Sequence, residues 1–451
     1  MTTLGDITAP KVEQSGPPKS GEFIYVDISS IDNSAKRIVE PKRLPVEGAP
    51  SRARQCLAAG DVLVSMTRPN LNAVALVPTE LDGAVGSTGF HVLRADEGTE
   101  PRWLYYAVQS RSFVQAMSEV VQGALYPAVR PKDIRTFEVN PPSVDEQRRI
   151  VAEIEKQFSR LDEAVAGLLR VQANLKRYKA AVLKAAVEGR LVPTEADLAR
   201  GEGRSYETGA QLLQRILETR RSQWQGKGKY KEPTAPDTAG LPALPDGWVW
   251  TGLEQVSQAN KYALKAGPFG SALKKEHYAV SGYKIYGQEQ VIRGDHRFGD
   301  YYIGEEKFRE LESCAVKPGD LLISLVGTAG KVLVLPDNVE PGIINPRLLK
   351  LSLNSTFVVP SYAAYMLQSV WAAQFFKEQA HGGTMEILNL GIVKMLPVPL
   401  PPISEQHRIV AEVDRRLSIV REVEAEVDAN LKRAQALRQA VLSKSFQVSP
   451  S

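Results

Sequence analysis

The chain repeats itself, and that repeat limits what it can fold into. Gly60-Asp61-Val62-Leu63-Val64-Ser65 returns as Gly319-Asp320-Leu321-Leu322-Ile323-Ser324, a shift of 259 residues (319 − 60). The same shift carries Pro101, Gln109 and Ser110 onto Pro360, Gln368 and Ser369. It carries Glu146-Gln147-x-Arg149-Ile150-Val151-Ala152-Glu153 onto Glu405-Gln406-x-Arg408-Ile409-Val410-Ala411-Glu412, and Val182-Leu183 onto Val441-Leu442. One register held over more than a hundred residues marks a duplicated unit. Whatever fold the unit has, it is built twice.

Each unit has two regimes. The first, 1–142 and again 246–403, carries short β-type runs between turn residues. Asp61–Met66 and Leu321–Val326 are apolar and β-branched enough for buried strands, each after a Gly-Asp turn, and Phe90–Leu93 alternates. Helical stretches, Pro101–Val121 and Pro360–His381, interrupt them. The mixture predicts a compact α/β (α+β) domain of roughly 150 residues, without fixing its strand order.

The second regime, 143–190 and 404–448, is one long helix in each unit. Ile154, Leu161, Leu168, Leu175 and Val182 recur seven apart, with Phe158, Val165, Val171 and Tyr178 between them. In the second unit Val413, Val420, Val427, Ala434 and Val441 keep that spacing, with Leu417, Leu431 and Leu437 between. Spacing of seven with polar flanks buries one stripe against another helix. The stripe either packs on its own globular domain or faces the other long helix; equal length and phase favour mutual pairing. The interface is then Ile154, Phe158, Leu161, Leu168, Leu175, Tyr178 and Val182 against Val413, Leu417, Val420, Val427, Leu437 and Val441. Antiparallel pairing puts the two domains at opposite ends about a pseudo-twofold axis. Pro141-Pro142-Ser143 and Pro401-Pro402-Ile403-Ser404 supply starts, Glu146 and Glu405 suit the first turn, and Gly189 suits a C-cap. At ~1.5 Å per residue each helix spans roughly 65 Å.

The joining segment, 191–245, holds one amphipathic helix, Glu207–Trp224, and then a Gly/Lys/Pro stretch. Its basic residues Arg220, Arg221, Lys227, Lys229 and Lys231 read either as a solvated linker or as phosphate contacts. Overall charge decides little: 56 basic against 52 acidic residues leave +4. Cys56 and Cys314 have no metal-ligand spacing and fit a reduced cytosol as core thiols. The N-terminus has no apolar signal core, and no run approaches the roughly 20 apolar residues of a membrane span. A soluble cytoplasmic protein is expected.

The pattern Pro-Pro-x-x-Glu-Gln-x-Arg-Ile-Val-Ala-Glu before a long helix, complete at Pro401–Glu412 and present at Pro141–Glu153 with one more residue between the prolines and Glu146, resembles the specificity subunit of type I restriction–modification systems. So do Leu244-Pro245-Asp246-Gly247-Trp248-Val249-Trp250, the Gly-Asp-x-Leu-x-Ser run, and Gly189-Arg190-Leu191-Val192-Pro193. The first domain departs from the pattern: Leu4-Gly5-Asp6-Ile7 parallels Leu253-Glu254-Gln255-Val256 without the Gly-Trp lead-in, so an initial strand is in doubt. The resemblance implies two target-recognition domains, each reading half of a bipartite asymmetric sequence in double-stranded DNA. The helix pair acts as a ruler for the unread spacer. It also implies two methyltransferase subunits using S-adenosylmethionine and two motor-nuclease subunits using ATP and Mg, with no cofactor or metal bound by this chain.

Catalytic motifs are incomplete. Asn140-Pro141-Pro142-Ser143 is close to the Asn-Pro-Pro-aromatic loop of adenine methyltransferases, but Ser stands where an aromatic must stack on the base. Gly327-Thr328-Ala329-Gly330-Lys331 fails the phosphate-loop pattern at Leu325 and Val332 and reads as a turn between strands. His91, His277, His296, His381 and His407 share no ligand spacing. No catalytic residue is assigned. A stand-alone methyltransferase and a coiled-coil scaffold without DNA are the competing classes.

DNA contacts are expected from residue type and loop position: Arg and Lys for guanine edges and phosphates, Asn and Gln for adenine. In the first domain these are Lys36, Arg37, Lys42, Arg43, Arg68, Asn70, Tyr126 and Arg130. In the second they are Lys274, Lys275, Arg293, His296, Arg297, Lys331, His381 and Thr384.

Overall fold

The computed structural model describes residues 2–121, 127–224, 229–326, 330–379 and 388–446. Tyr126, Lys227, His381 and Thr384 lie outside them. The chain forms two compact units. One joins Met1–Val171 to Glu426–Ser451, and the other is Gln172–Ala425. Each unit therefore holds part of both long helices, Val144–Val187 and Ile403–Ser445.

In the first unit a four-stranded sheet runs Lys42–Pro45, Glu22–Val26, Val85–Ser87, Ala53–Cys56. Its central pair is parallel and its outer pairs are antiparallel. A three-stranded antiparallel sheet runs Phe90–Leu93, Val62–Ser65, Val74–Leu76. The second unit repeats the plan. Leu264–Ala266, Leu348–Leu351, Leu321–Ser324 and Val332–Val334 form one sheet. Tyr278–Ala279, Tyr302–Ile303, Tyr283–Tyr286 and Gly342–Ile344 form the other, again with one parallel pair. The expected strands are present: Val62–Ser65 and Leu321–Ser324 are buried throughout. The Gly-Asp turn before each has one mechanism. Gly60 and Gly319 take left-handed φ of 89° and 78°. Asp61 and Asp320 then accept the backbone N–H groups of Ala58 and Lys317 at 2.8 Å.

The initial strand in doubt exists in short form. Thr2–Thr3 pairs with Glu138–Val139, where the second unit pairs Val249–Gly252 with Pro397–Leu400. Each expected single helix is two: Pro101–Ala107 and Arg111–Val120, and in the second unit Pro360–Leu367 and Val370–Gln379. Ser110 and Ser369 cause the break by accepting the N–H groups of Phe113 and Ala372 at 3.3 Å, which starts a new helix. The joining segment carries two helices rather than one, Glu195–Glu202 and Gly209–Ser222, both Thr-capped. No helix among the described residues is long and apolar enough to cross a membrane.

The long helices pair antiparallel inside each unit. In the first, Ile154, Phe158 and Leu442 share one apolar cluster, with Leu161 and Val441 at its margin. Arg438 stacks 4.2 Å over the Phe158 ring and bonds Asp162 at 2.6 Å. In the second, Val182, Ala186, Ile409 and Val413 cluster, with Leu417 at the margin, and Lys179 meets Glu424 at 2.7 Å. Within the second unit 179 stands at 424 while 182 and 186 cluster with 413 and 409, so the two segments run in opposite directions. Val420 and Val427 are buried, while Leu168 and Leu175 are half-buried.

Two expected seam residues lie at its margin: Tyr178 is 44% exposed and interacts with Arg416 of the other long helix, and Leu437 is 54% exposed. Each sits one residue off the stripe. Continuing Phe158 in steps of seven reaches Gln172 and Lys179, and continuing Leu417 reaches Glu424, Leu431 and Arg438. A one-residue slip turns a side chain about 100° around a helix, which is enough to move it from the buried stripe to its margin. Gly189 ends the first long helix as expected, with φ 65° and Arg190 donating back to the Ala185 carbonyl at 2.9 Å.

Candidate nucleic-acid interface

Each reading domain is tied to its long helix by one buried glutamine. The Gln147 amide accepts the Glu100 N–H at 2.8 Å and donates to the Pro142 and Gly98 carbonyls at 2.9 and 3.4 Å. Gln406 accepts the Val359 N–H at 2.9 Å and donates to the Pro401 and Phe357 carbonyls at 3.1 and 3.3 Å. All three partners match at the 259-residue shift. The sheets and loops of each domain are thus carried on the same hydrogen-bonded joint in both units.

In the first unit three loops converge. The hairpin Ile31–Asp32/Arg37–Ile38 is pinned by Lys36, whose ammonium donates to the Leu71 and Asn72 carbonyls, and by Tyr105, which donates to the Lys36 carbonyl at 2.8 Å. The turn Pro69–Leu71 is held from the other side. Thr67 bridges Ala128, and Arg68 N–H donates to the Pro127 carbonyl at 2.9 Å. Lys36, Arg68 and Asn72 have left-handed φ of 54°, 49° and 46°, and are the non-glycine residues that do so among the described residues. Such conformations cost of order 1–3 kcal/mol each and gather where function needs a fixed loop shape.

This cluster brings together Lys36, Arg37, Arg68, Asn70 and Arg130. Arg37, Arg68 and Asn70 are exposed there. Arg130 is 78% exposed, with Asp133 at 3.3 Å. Lys36 differs: its ammonium is spent on loop carbonyls, and burial lowers it below the usual lysine value. Lys42 and Arg43 lie elsewhere, on an outer strand. Lys42 is paired with Asp27 at 2.5 Å, and Arg43 stands 3.7 Å from Glu22.

In the second unit a cleft of about 930 Å³ is lined by Lys275, Gln288, Asn345 and Arg347, with Tyr278 and Tyr301 side by side at its wall, ring centroids 5.8 Å apart. Asn345 Oδ1 accepts the Arg347 N–H at 2.9 Å, and Gln288 donates to Ser324 Oγ at 2.8 Å and to the Val326 carbonyl. Gln288 therefore links the cleft to the hairpin Leu321–Ser324/Val332–Val334. Lys331 is exposed on that hairpin, as the reading of a turn between strands requires; 327–329 lie outside the described residues. Arg293 ends the helix Gln288–Arg293 and stacks 4.0 Å over Phe298. Lys274 is exposed, and its N–H donates to His277 Nδ1 at 3.0 Å. His296 is half-buried; Arg297 is exposed and its carbonyl accepts buried Lys284 at 3.0 Å.

Residue type alone missed Gln288, Asn345, Arg347, Tyr278 and Tyr301. Only topology assembles them, although the many tyrosines of 278–302 were a visible signal. Exposed aromatic rings beside Arg, Asn and Gln are the side chains that stack on and hydrogen-bond to bases.

Among the described residues no group of His, Cys, Asp and Glu is placed to hold a metal. His91 sits half-buried on the strand Phe90–Leu93, and burial with nearby Arg135 pushes its imidazole down to about 4.

Residues 266–429 match the family model of the type I restriction modification DNA specificity domain. The chain is 24% identical over 313 residues to the type I restriction enzyme EcoBI specificity subunit of Escherichia coli, covering 68% of this chain and 57% of that one. It is 23% identical over 352 residues to the E. coli EcoDI specificity subunit, covering 76% and 69%. The match to the E. coli EcoAI specificity subunit spans 43% of that protein, so the first relatives are matched over about half their length. Among solved structures, a chain of a type I R-M system superposes with TM-score 0.69 at 25% identity, covering 99% of this chain and 97% of that one. The HsdS subunit from Thermoanaerobacter tengcongensis superposes with TM-score 0.51 at 26% identity, covering 98% and 95%.

Proposed function

Because the chain belongs with the specificity subunits of type I restriction–modification systems, we propose that it reads a bipartite, asymmetric DNA target, one half with each reading domain. The observation that carries this reading is the duplication itself. The same two sheets and the same glutamine-tied long helix occur twice, with unlike residues at the reading positions. Two similar readers on one polypeptide fit two half-sites whose spacing protein geometry sets, and diverged loops let the halves differ.

On this reading the long helices determine the spacer. The chain reads double-stranded DNA in the cytoplasm and performs no catalysis itself. A scaffold present twice offers one docking surface twice. It takes two methyltransferase subunits, which bring S-adenosylmethionine, and two motor-nuclease subunits, which bring ATP and Mg.

The test is selection of bound duplexes from a random pool by the reconstituted complex. Two fixed half-sites around an unread gap are expected; a single contiguous site overturns the reading. Removing one heptad from both long helices together shortens each by roughly 10 Å. The preferred gap should then change with both half-sites unchanged. Tight stoichiometric binding of S-adenosylmethionine to the isolated chain in equilibrium dialysis would favour a stand-alone methyltransferase instead.

A further inference from the structure

The two units differ in what covers the start of their long helix. In the second unit the strand Pro397–Leu400 is buried at every residue. The cover is the chain's own segment 191–222. Leu212 and Ile216, four apart on one helix face, share a core with Val187, Val398 and Leu400. Gly209 approaches so closely that a Cβ would stand 2.2 Å from the Leu400 carbonyl oxygen. Polar groups complete the seal. Glu405 accepts the Glu195 N–H at 2.8 Å and the Trp248 indole N–H at 3.0 Å, and Arg408 pairs with the Glu195 carboxylate at 2.6 Å.

In the first unit the equivalent face is open among the described residues. Glu138 and Asn140 are exposed and Val139 is half-buried, where their counterparts are buried. Arg149 is 80% exposed against 32% for Arg408. Among the described residues its ion-pair partner is Glu146, at 2.8 Å on the same helix. A groove of about 620 Å³ lies there, lined by Trp103, Ala107, Phe137, Val139, Ile150 and Phe446. Phe446 and Val139 stand where Val187 and Val398 meet Leu212 and Ile216.

We propose that this groove docks an amphipathic helical segment of a partner polypeptide. The occupant of the matching site gives its chemistry. It is a pair of short helices. The first opens on an acidic residue whose N–H bonds Glu146 and whose carboxylate pairs with Arg149, as Glu195 of the helix Glu195–Glu202 does with Glu405 and Arg408. The second, like Gly209–Ser222, puts two apolar residues four apart into the groove, with a glycine or alanine at the closest approach. The charges are complementary in sign and position, because Glu146 and Arg149 repeat Glu405 and Arg408. The proposal does not depend on which DNA sequence the chain reads.

The test titrates the full chain into a fluorescent peptide of residues 191–222, the segment that already fills the matching site in cis. Saturable binding of one peptide per chain is expected. Arg149→Glu should weaken it about tenfold, since a partly desolvated pair becomes a like-charge clash. A peptide carrying Glu195→Arg should regain affinity for that variant. Arg149 is solvent-facing, so the variant keeps its fold and its duplex binding. Failure to saturate at about 1 mM chain overturns the proposal. So does binding that ignores Arg149→Glu, or that the exchanged peptide fails to recover. Loss of duplex binding in the unmodified chain would count against the functional reading above and leave the groove untouched.

Discussion

Replacing Gln406 with methionine tests the joint between reading domain and long helix, and Gln147→Met is its internal control. Methionine keeps the volume and removes every hydrogen bond, so cavity formation is small. Each glutamine makes three bonds, worth about 1 kcal/mol apiece net. The second unit should suffer more. The Phe357 and Pro401 carbonyls are buried and find no water once the donor is gone, whereas Gly98 is exposed and Pro142 half-buried. A buried orphan acceptor adds about 1–3 kcal/mol. Gln147→Met should therefore cost about 3 kcal/mol and Gln406→Met about 5 kcal/mol or more. For units of this size that is roughly 6–12 °C and at least roughly 10–20 °C. Calorimetry reads both, and amide exchange assigns each loss to its own unit. Equal costs, or a larger cost at Gln147, would refute the argument that water access sets the difference.

Three other outcomes are expected. Val427→Ser should destabilise by about 2 kcal/mol and Leu437→Ser by less than about 0.5 kcal/mol in urea titration, because only the first residue faces the seam. His91 is depressed in the folded state, so it stabilises the fold above its unfolded value and that stability is lost as pH falls from about 6.5 toward about 4. His91→Gln should remove that slope from the acid side of the stability–pH curve, by up to about 3 kcal/mol before solvent screening reduces it. Arg68→Ala should weaken duplex binding about tenfold, and should flatten the salt slope by about 0.9 if its partner is a phosphate. Lys42→Ala, which loses only an intramolecular pair, should leave binding unchanged.

The architecture was readable because it rests on periodicity and repetition. The 259-residue shift located both units, the spacing of seven located the long helices, and Gly60 and Gly319 located the buried strands. Three features were lost for physical reasons. Ser110 and Ser369 belong to the repeat, yet a serine inside an apolar helical run looks tolerable until its hydroxyl is seen capping the next helix. Tyr178 and Leu437 are apolar at almost the right spacing, while the true stripe positions hold Lys179 and Arg438, which a search for apolar residues passes over. In the first unit the residues expected from loop position, Arg37, Arg68, Asn70 and Arg130, lie on neighbouring loops. The site was not legible in the second, because Lys275, Gln288, Tyr301 and Arg347 come from four segments that only sheet pairing brings together.

The ion pair in the seam has a consequence for how such a protein can change length. Sliding one helix by a heptad would set Lys179 against Leu417 or Leu431 and Glu424 against Gln172 or Ala186, so both charges lose their partner. An uncompensated charge of that kind costs several kcal/mol when buried, and less at this half-exposed depth. Intermediate slippage is therefore closed off. Viable lengths form a ladder of discrete rungs, reached only when both helices gain or lose matching turns, so drift in reach between related chains should be stepwise rather than continuous.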